Sequence, residues 1–267
     1  MTPAALVLAG RRPGPPGPLE LQEGVEDKAL IVVGGQTMLA RAVAAVRAAG
    51  CARVLVAASG EMVAEAVRAL SCEVIEAAAG PSESVARALA EAGAPLLVTT
   101  ADHALLRPEW IAQFLRDADQ AADVAALLAR RETVAAAVES KRTWLRFADG
   151  DWSGCNLFLL ATPAAAGAIA LWRLVEADRK RPWRIVRRLG PGLLLRYLTG
   201  RLTLANAVAA LGRRAGVRAA IVASDYGLAA VDVDKPDDLS LVRRLARESE
   251  AVEPAERAAA EDAAAER

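Results

Sequence analysis

The sequence predicts an α/β fold with three layers, in which helices cover both faces of a mostly parallel β-sheet. Apolar runs typical of buried strands alternate with helical patterns along most of the chain, and such series of βαβ units form parallel sheets. Two of the apolar runs, at residues 4–10 and 95–102, end on glycine or aspartate. Open sheets of this class bind ligands outside the carboxyl ends of their strands, so these two ends are expected to face one crevice.

Local patterns define the individual elements. Gly50 ends one helical pattern, Ser82 is a suitable N-cap for another, and Pro108 stands near the first position of a third. The elements expected in the first part of the chain are a helix at 34–50, a strand at 53–58, a helix at 61–70, a strand at 72–77 and a helix at 80–93.

Composition limits the classes of function. The 267 residues can form one large α/β domain, and 33 Lys and Arg balance 33 Asp and Glu. A net charge of zero gives no general attraction to nucleic acid, so any anion has to be bound locally. Three scattered cysteines and a single histidine argue against a zinc site or a disulfide framework, and no uncharged apolar run of about 18 residues occurs. We expect a cytoplasmic protein.

The opening strand predicts a phosphate-binding site. AALVLAG at 4–10 leads into Arg11, Arg12 and, later, Lys28. Gly10 allows close approach of the backbone to phosphate, and the three cations supply positive charge. The prolines between residues 13 and 18 are expected to hold the intervening loop extended, as a semi-rigid flap. The alternative is a first core strand followed by a flexible loop.

Two carboxylate clusters complete a site for magnesium and a triphosphate. Asp102 ends the PLLVTTAD run, and Asp232 and Asp234 are expected on one face of a strand, because side chains alternate. Pro236 then begins a helix. Mg²⁺ prefers oxygen ligands and keeps several waters, so one or two of these carboxylates suffice to hold it. The alternative for Asp232 is a bond to nearby backbone or to a cation.

Four segments, in this order, resemble the MobA-like nucleotidyltransferases, which share the Rossmann-like GT-A type fold. They are the LAG-loop-Lys opening, the TTAD strand end, SGCNLFLL at 153–160 and VDVDKPDDL at 231–239. The resemblance covers roughly residues 4–160 and 217–247. Members of this family transfer a nucleoside monophosphate from a triphosphate to a phosphorylated acceptor and release pyrophosphate. The expected organisation is one nucleotidyltransferase domain over 1–248 and a flexible tail over 249–267.

The resemblance implies roles for individual residues. Lys28 with Arg11 or Arg12 would stabilise the α-phosphate and the leaving pyrophosphate. Asp102 and Asp234 would hold Mg²⁺, with Asp232 in reserve, because Asp234 stands where related sugar-nucleotide pyrophosphorylases place their second metal ligand. The residues expected to contact the nucleotide are Leu8, Ala9, Gly10, Gly80, Ser82, Ser84 and Ala101. Helix capping is the alternative for the two serines. Asn156 is expected to contact the acceptor, with stabilisation of a turn as its alternative. Family members usually carry two consecutive glycines in the opening loop, and the change here leaves open which arginine acts.

A helical insertion over 163–215 is the part least covered by the resemblance. Its cations cluster between residues 179 and 188, with tryptophans interleaved. We expect Arg181 and Arg184 to bind the anionic acceptor; contact of residues 172–201 with an anionic membrane surface and a merely solvated helical face are the alternatives.

The sequence therefore predicts a Mg²⁺-dependent nucleotidyltransferase that uses CTP or GTP. A GT-A glycosyltransferase and a degenerate nucleotide-binding protein are the other classes considered. A glycosyltransferase is expected to carry Asp-x-Asp at the strand end, where this chain has Asp102, His103 and Ala104.

Overall fold

The protein is a three-layer α/β structure, described by a computed structural model for residues 2–11, 14–139, 142, 144–177 and 190–249. The strands are β1 (Ala4–Ala9), β2 (Val32–Val33), β3 (Gln36–Thr37), β4 (Val54–Ala58), β5 (Glu73–Glu76), β6 (Leu96–Thr100), β7 (Val124–Arg130), β8 (Leu145–Phe147), β9 (Gly150–Leu160) and β10 (Ala219–Ser224). The helices are α1 (Pro18–Glu23), α2 (Met38–Ala48), α3 (Glu61–Ala69), α4 (Pro81–Ala92), α5 (Pro108–Asp117), α6 (Arg131–Ala137), α7 (Ala166–Ala177), α8 (Pro191–Leu198), α9 (Leu204–Ala215) and α10 (236–249).

The main sheet has the strand order β10-β7-β9-β6-β1-β4-β5, with β8 paired to β9 as a hairpin. Pairs within β6-β1-β4-β5 and the pair β7-β10 are parallel, whereas β9 runs antiparallel to both of its neighbours. The mostly parallel sheet predicted from the sequence is confirmed. The carboxyl ends of β1, β4, β5, β6, β7 and β10 consequently lie along one edge, which also receives the amino end of β9.

The central strand β1 is buried on both faces. Ala5, Val7 and Ala9 belong to a hydrophobic cluster that includes residues of α2, α3, α5 and α10, whereas Leu6 belongs to a second cluster with residues of α4 and α7. Alternation of side chains along the strand therefore serves two cores, as expected for a parallel strand between helical layers. This double burial fixes the position of the strand end from which Gly10 leaves the sheet.

Some local predictions are wrong. Residues 18–23 form α1 rather than extended chain, because Pro18 begins the helix, where a missing N–H costs nothing, and Leu19 is buried. The pattern at 34–50 becomes helical only at Met38: Gly34 and Gly35 adopt positive φ and connect β2 to β3. Thr37 caps α2 by accepting a hydrogen bond from the Ala40 N–H.

Two further predictions differ from the structure near the carboxyl edge. Ser82 is not an N-cap, since Gly80 holds that position and Pro81 is the first helical residue of α4. Residues 231–234 do not form the predicted strand, and α10 begins at 236 as predicted. Residues 231–234 therefore cross the carboxyl edge as an irregular segment, which is held by hydrogen bonds other than those of a sheet.

The backbone after β10 packs so closely on α6 that it accepts no side chain. A Cβ atom on Gly227 would lie 2.2 Å from the Thr133 carbonyl oxygen and 2.8 Å from the Ala137 Cβ. We predict that Gly227→Ala lowers the free energy of unfolding by about 1–3 kcal/mol, as overpacking does. Urea denaturation measures this loss. Gly154→Ala is the matched control, because a Cβ there meets no atom within 4 Å; equal stability losses in both variants would contradict the prediction.

Candidate active site

A lysine bridges two carboxylates at the carboxyl edge of the sheet. The Lys28 Nζ lies 2.5 Å from Asp102 Oδ2 and 3.2 Å from Asp234 Oδ1. Asp102 follows β6 and its side chain is 13% exposed, whereas the Asp234 side chain, just before α10, is 63% exposed. The three predicted residues, distant in sequence, therefore meet in a site that is closed behind Asp102 and open to solvent beside Asp234.

Electrostatics keep Lys28 charged. Burial lowers the pKa of its ammonium, but the adjacent carboxylates of Asp102 and then Asp234 outweigh this and leave the pKa above its usual value. Lys28 is therefore protonated at neutral pH and can donate hydrogen bonds to anionic oxygens.

A buried aspartate places Lys28 in the site. Asp27 is the N-cap of a short 3₁₀ helix over Lys28–Leu30, and its Oδ1 accepts a hydrogen bond from the Ala29 N–H at 2.8 Å. Burial raises the pKa of Asp27. Sequence reasoning missed this residue, although an aspartate directly before a short helix is a recognisable capping signal.

The end of β1 is surrounded by backbone and small side chains. A Cβ on Gly10 would lie 2.9 Å from the Ala77 Cβ, so the loop after β5 requires glycine here. The Arg11 N–H donates to Ser59 Oγ, and its guanidinium donates to the Glu26 carbonyl, which ties the loop before Lys28 to the strand end. Leu8 and Ala101 are joined by a backbone hydrogen bond across β1 and β6. Arg12 lies outside the described residues.

The loop into α4 uses both of its serine hydroxyls within the protein. Ser84 Oγ accepts from the Ala78 N–H and donates to the Gly80 carbonyl. Ser82 Oγ donates to the carboxylate of Glu176 on α7 at 2.5 Å, a partner that no sequence signal indicated. The contacts favour a structural role for both hydroxyls; nucleotide contact through this loop stays a prediction.

Asp232 lies in a separate network beside Asp234. Its Oδ1 accepts from Arg142 Nη2 at 2.7 Å and its Oδ2 from Asn156 Nδ2 at 3.0 Å. Arg142 also donates from Nε to Ser153 Oγ at 3.3 Å. These contacts favour the alternative reading of Asp232, as the partner of a cation, over a metal ligand. They also direct the Asn156 amide to Asp232. Arg142 was not found by sequence reasoning, since it stands in a loop without a motif.

The segment that carries both aspartates is fixed to the strand end. The Val233 N–H donates to the carbonyl of Asp102, and the N–H groups of Asp234 and Lys235 both donate to Asp238 Oδ2. The Asp234 carboxylate is therefore presented to Lys28 by backbone that is held on both sides.

The donor set at this edge fits a magnesium ion bound together with phosphates. Asp102 Oδ1 is buried and has no hydrogen-bond partner among the residues that the structure describes, and the same holds for Thr100 Oγ1. In the described ranges, no group of three or more His, Cys, Asp and Glu side chains is arranged to hold a metal. Two carboxylates with one unsatisfied oxygen suit Mg²⁺, which keeps waters and phosphate oxygens as its other ligands, better than a cation that needs a full protein cage.

The basic part of the insertion is described only at its flanks. Arg181 and Arg184 lie outside the described residues. On α8, which follows them, Leu195 is 64% and Leu198 71% exposed, with Arg196 exposed between them. Across the part of the chain that the structure describes, no helix is long and apolar enough to cross a membrane.

The three-layer α/β fold carries the end of β1 and the Lys28–Asp102 pair at the carboxyl edge of its sheet, where proteins of this fold class bind their ligands. The family model of the MobA-like NTP transferase domain matches residues 5–191. The chain therefore belongs to this family and is a nucleotidyltransferase.

Solved structures agree with this assignment. A structure described as a hypothetical transferase from Thermus thermophilus is 32% identical with a TM-score of 0.76, covering 90% of this chain and all of its own. CMP:2-keto-3-deoxy-manno-octonic acid synthetase complexed with CTP is 18% identical (TM-score 0.56, covering 93% of this chain and 100% of that one). A Methanothermobacter nucleotidyl transferase is 19% identical (TM-score 0.53, 93% and 99%). The last two show the fold alone. A search of curated proteins gave no match.

The histidine beside Asp102 makes folding sensitive to acid. His103 is buried, with its ring 5.9 Å from that of Trp110, and burial lowers its pKa from 6.5 to about 4. Between these values the unfolded chain binds a proton that the folded protein excludes, so stability is lost as the pH falls from about 6.5 to 4.

We predict that this proton removes about 3 kcal/mol of stability over that range, on the order of 1.4 kcal/mol per pH unit. Urea unfolding at several pH values measures it. His103→Gln lacks the titrating group, so its stability should fall less steeply with acidification. Identical pH dependence in the two proteins would contradict the prediction.

Proposed function

We propose that this nucleotidyltransferase uses CTP or GTP and, with Mg²⁺, joins the nucleoside monophosphate to a phosphorylated small-molecule acceptor. The observation that carries the proposal is the Lys28 ammonium held between Asp102 and Asp234 at the carboxyl edge. A metal–triphosphate complex needs both elements, carboxylates for the cation and a fixed positive charge for the phosphates.

In the proposed reaction an oxygen of the acceptor phosphate attacks the α-phosphorus. A new P–O–P bond forms, the bond from the α-phosphorus to the oxygen bridging the α- and β-phosphates breaks, and that oxygen leaves with pyrophosphate. No proton transfer is required when the acceptor phosphate is a dianion. The protein contributes position and charge, the usual means of catalysis in phosphoryl-group chemistry.

Lys28 is placed to stabilise the charge that develops on the leaving pyrophosphate. Its anchoring through Asp27 keeps the ammonium at the site without a ligand, and Gly10 lets the loop after β5 pack closely against the end of β1. Arg11 supports this arrangement by tying the preceding loop to β1. Mg²⁺, bound by Asp102 and Asp234, would supply further charge neutralisation at the triphosphate.

The competing functions receive less support. Positions 103 and 104, where a glycosyltransferase is expected to complete Asp-x-Asp, hold a buried histidine and a buried alanine. A degenerate binding protein has no need of a lysine kept charged between two carboxylates. Incubation with each of four nucleoside triphosphates, Mg²⁺ and a panel of phosphorylated sugars, polyols and amino alcohols, with pyrophosphate release as the readout, tests the proposal directly. Absence of release with every pair would contradict it.

Asp102 is predicted to be essential for turnover. Asp102→Asn removes a charged ligand at a strand end while keeping the side chain's size, so the rate should fall about 10³-fold or more with the fold retained. Pyrophosphate release gives the rate, and circular dichroism verifies folding. Asp237→Asn, an exposed aspartate on α10, is the matched control and should keep its activity. Near-wild-type turnover of Asp102→Asn at saturating Mg²⁺ would refute the assignment.

The basic insertion is proposed to contact an anionic partner. Residues 172–201 contain nine Lys and Arg against two acidic residues, in a chain whose net charge is zero. The exposed leucines of α8 favour a membrane surface, because interfacial helices combine cations with exposed apolar side chains. Acceptor binding by Arg181 and Arg184 is the other role proposed for this region.

Charge reversal separates these two roles. If the region binds a membrane, Arg181→Glu, Arg184→Glu and Arg188→Glu together should abolish sedimentation with anionic vesicles, an attraction that added salt also weakens, and leave soluble kinetics intact. If it binds the acceptor, the acceptor KM should rise with the triphosphate KM unchanged. Unchanged vesicle binding and unchanged kinetics would mean that the cations only form a solvated helical face.

A further inference from the structure

We propose that Arg142 is the residue that binds the phosphate of the acceptor; the inference rests on the proposed function. The Arg142 side chain is 13% exposed and lies beside the carboxyl edge. Burying a guanidinium costs free energy unless its N–H groups are hydrogen-bonded to suitable partners, so the partners of Arg142 indicate its role.

Arg142 is held by two partners and retains donors for a third. Nε donates to Ser153 Oγ, and one N–H of Nη2 donates to Asp232. A guanidinium has five N–H groups, and within the described part of the chain the remaining three, both on Nη1 and one on Nη2, have no partner. One N–H of Nη1 and one of Nη2 lie side by side along the end of the planar group, the geometry that grips two oxygens of a phosphate.

The network around Asp232 fixes the orientation of this guanidinium. A β-bulge in β9 opposite Leu127 puts Asn156 at φ +50°, a left-handed conformation that asparagine tolerates, and its amide occupies Asp232 Oδ2. Asp232 Oδ1 is thereby left to Arg142. Bulges often redirect a side chain next to an active site, and here the redirected amide steadies an arginine.

The partner of this arginine belongs to the segment that also carries Asp234. Asp232 is two residues before Asp234, and the intervening Val233 N–H donates to the Asp102 carbonyl. A phosphate on the free edge of Arg142 would therefore lie on the acceptor side of the Lys28 centre, beside the β9 half of the sheet. The triphosphate, at the end of β1, lies on the other side. Such a placement lets an acceptor oxygen approach the α-phosphorus opposite the leaving group.

The experiment uses inorganic phosphate as the probe and full-length protein saturated with Mg²⁺ and a triphosphate whose α,β-bridge is methylene. This analogue fills the triphosphate site, so phosphate reports on the acceptor site. Thermal stability is followed against phosphate concentration at constant ionic strength, since a ligand that binds the folded state raises the melting temperature. We expect Arg142→Met to lower the affinity for phosphate at least about 10-fold, because the variant loses a charged two-point hydrogen bond.

Two further variants make the result decisive. Arg142→Lys keeps a cation beside Asp232, so the variant should fold. It loses the two-point geometry of the guanidinium, and its affinity for phosphate should therefore also fall several-fold. Arg131→Met is the matched control, because Arg131 is more exposed and pairs with Asp151; phosphate affinity should stay within about two-fold.

The outcomes distinguish the inference from the proposed function. Failure of the triphosphate analogue to bind would reject the proposed function itself. Binding of the analogue with no phosphate response in the wild type, or with the same phosphate affinity in wild type and both Arg142 variants, would overturn the role of Arg142 alone. With the acceptor identified, a raised acceptor KM and unchanged triphosphate KM in Arg142→Lys would support it.

Discussion

The site is organised by the attraction of one ammonium for two carboxylates that come from distant parts of the chain. Asp102 alone would be a poorly solvated charge, and Lys28 alone would lose much of its tendency to stay protonated through burial. As a pair, Asp102 and Lys28 stabilise each other's charged form, whereas the Asp234 side chain remains exposed to water. The arrangement holds charge of both signs at one edge without closing the edge to a ligand, because the exposed carboxylate leaves one side of the lysine accessible.

The parts of the site that the sequence predicted share one physical origin. Gly10 and Asp102 directly follow buried strands, and parallel strands bring such ends to a common edge; Asp234 stands just before the helix that Pro236 begins. The expectation that Asp234 lies near Lys28 rested on the family resemblance as well, since the strand that was expected to carry Asp234 does not form. Their roles in catalysis remain predictions, to be decided by activity.

The unpredicted parts depend on contacts that no local pattern records. Arg142 and Glu176 meet their partners only because β9 and α7 return to the carboxyl edge after long excursions. Asp232 has the same spacing from Asp234 in sequence that a shared strand face would give, but the segment pairs with no strand, and tertiary contacts assign its carboxylate to Arg142 instead. Some local predictions were wrong because of proline. An extended loop was predicted where α1 forms, since proline disfavours the interior of a helix but is favourable in its first turn.

The contact between Ser82 and Glu176 has a geometric consequence for the insertion. The groove at the other end of α4 is lined by Gly93 together with Pro163 and Ala166 at the start of α7, so α7 runs antiparallel to α4 and returns the chain from the far edge of the sheet. Its 12 residues act as a spacer of about 18 Å. Adding or removing one turn would move the point where the basic segment begins by about 5 Å. The length of this helix therefore sets where the chain leaves α7 relative to the loop that leads into α4.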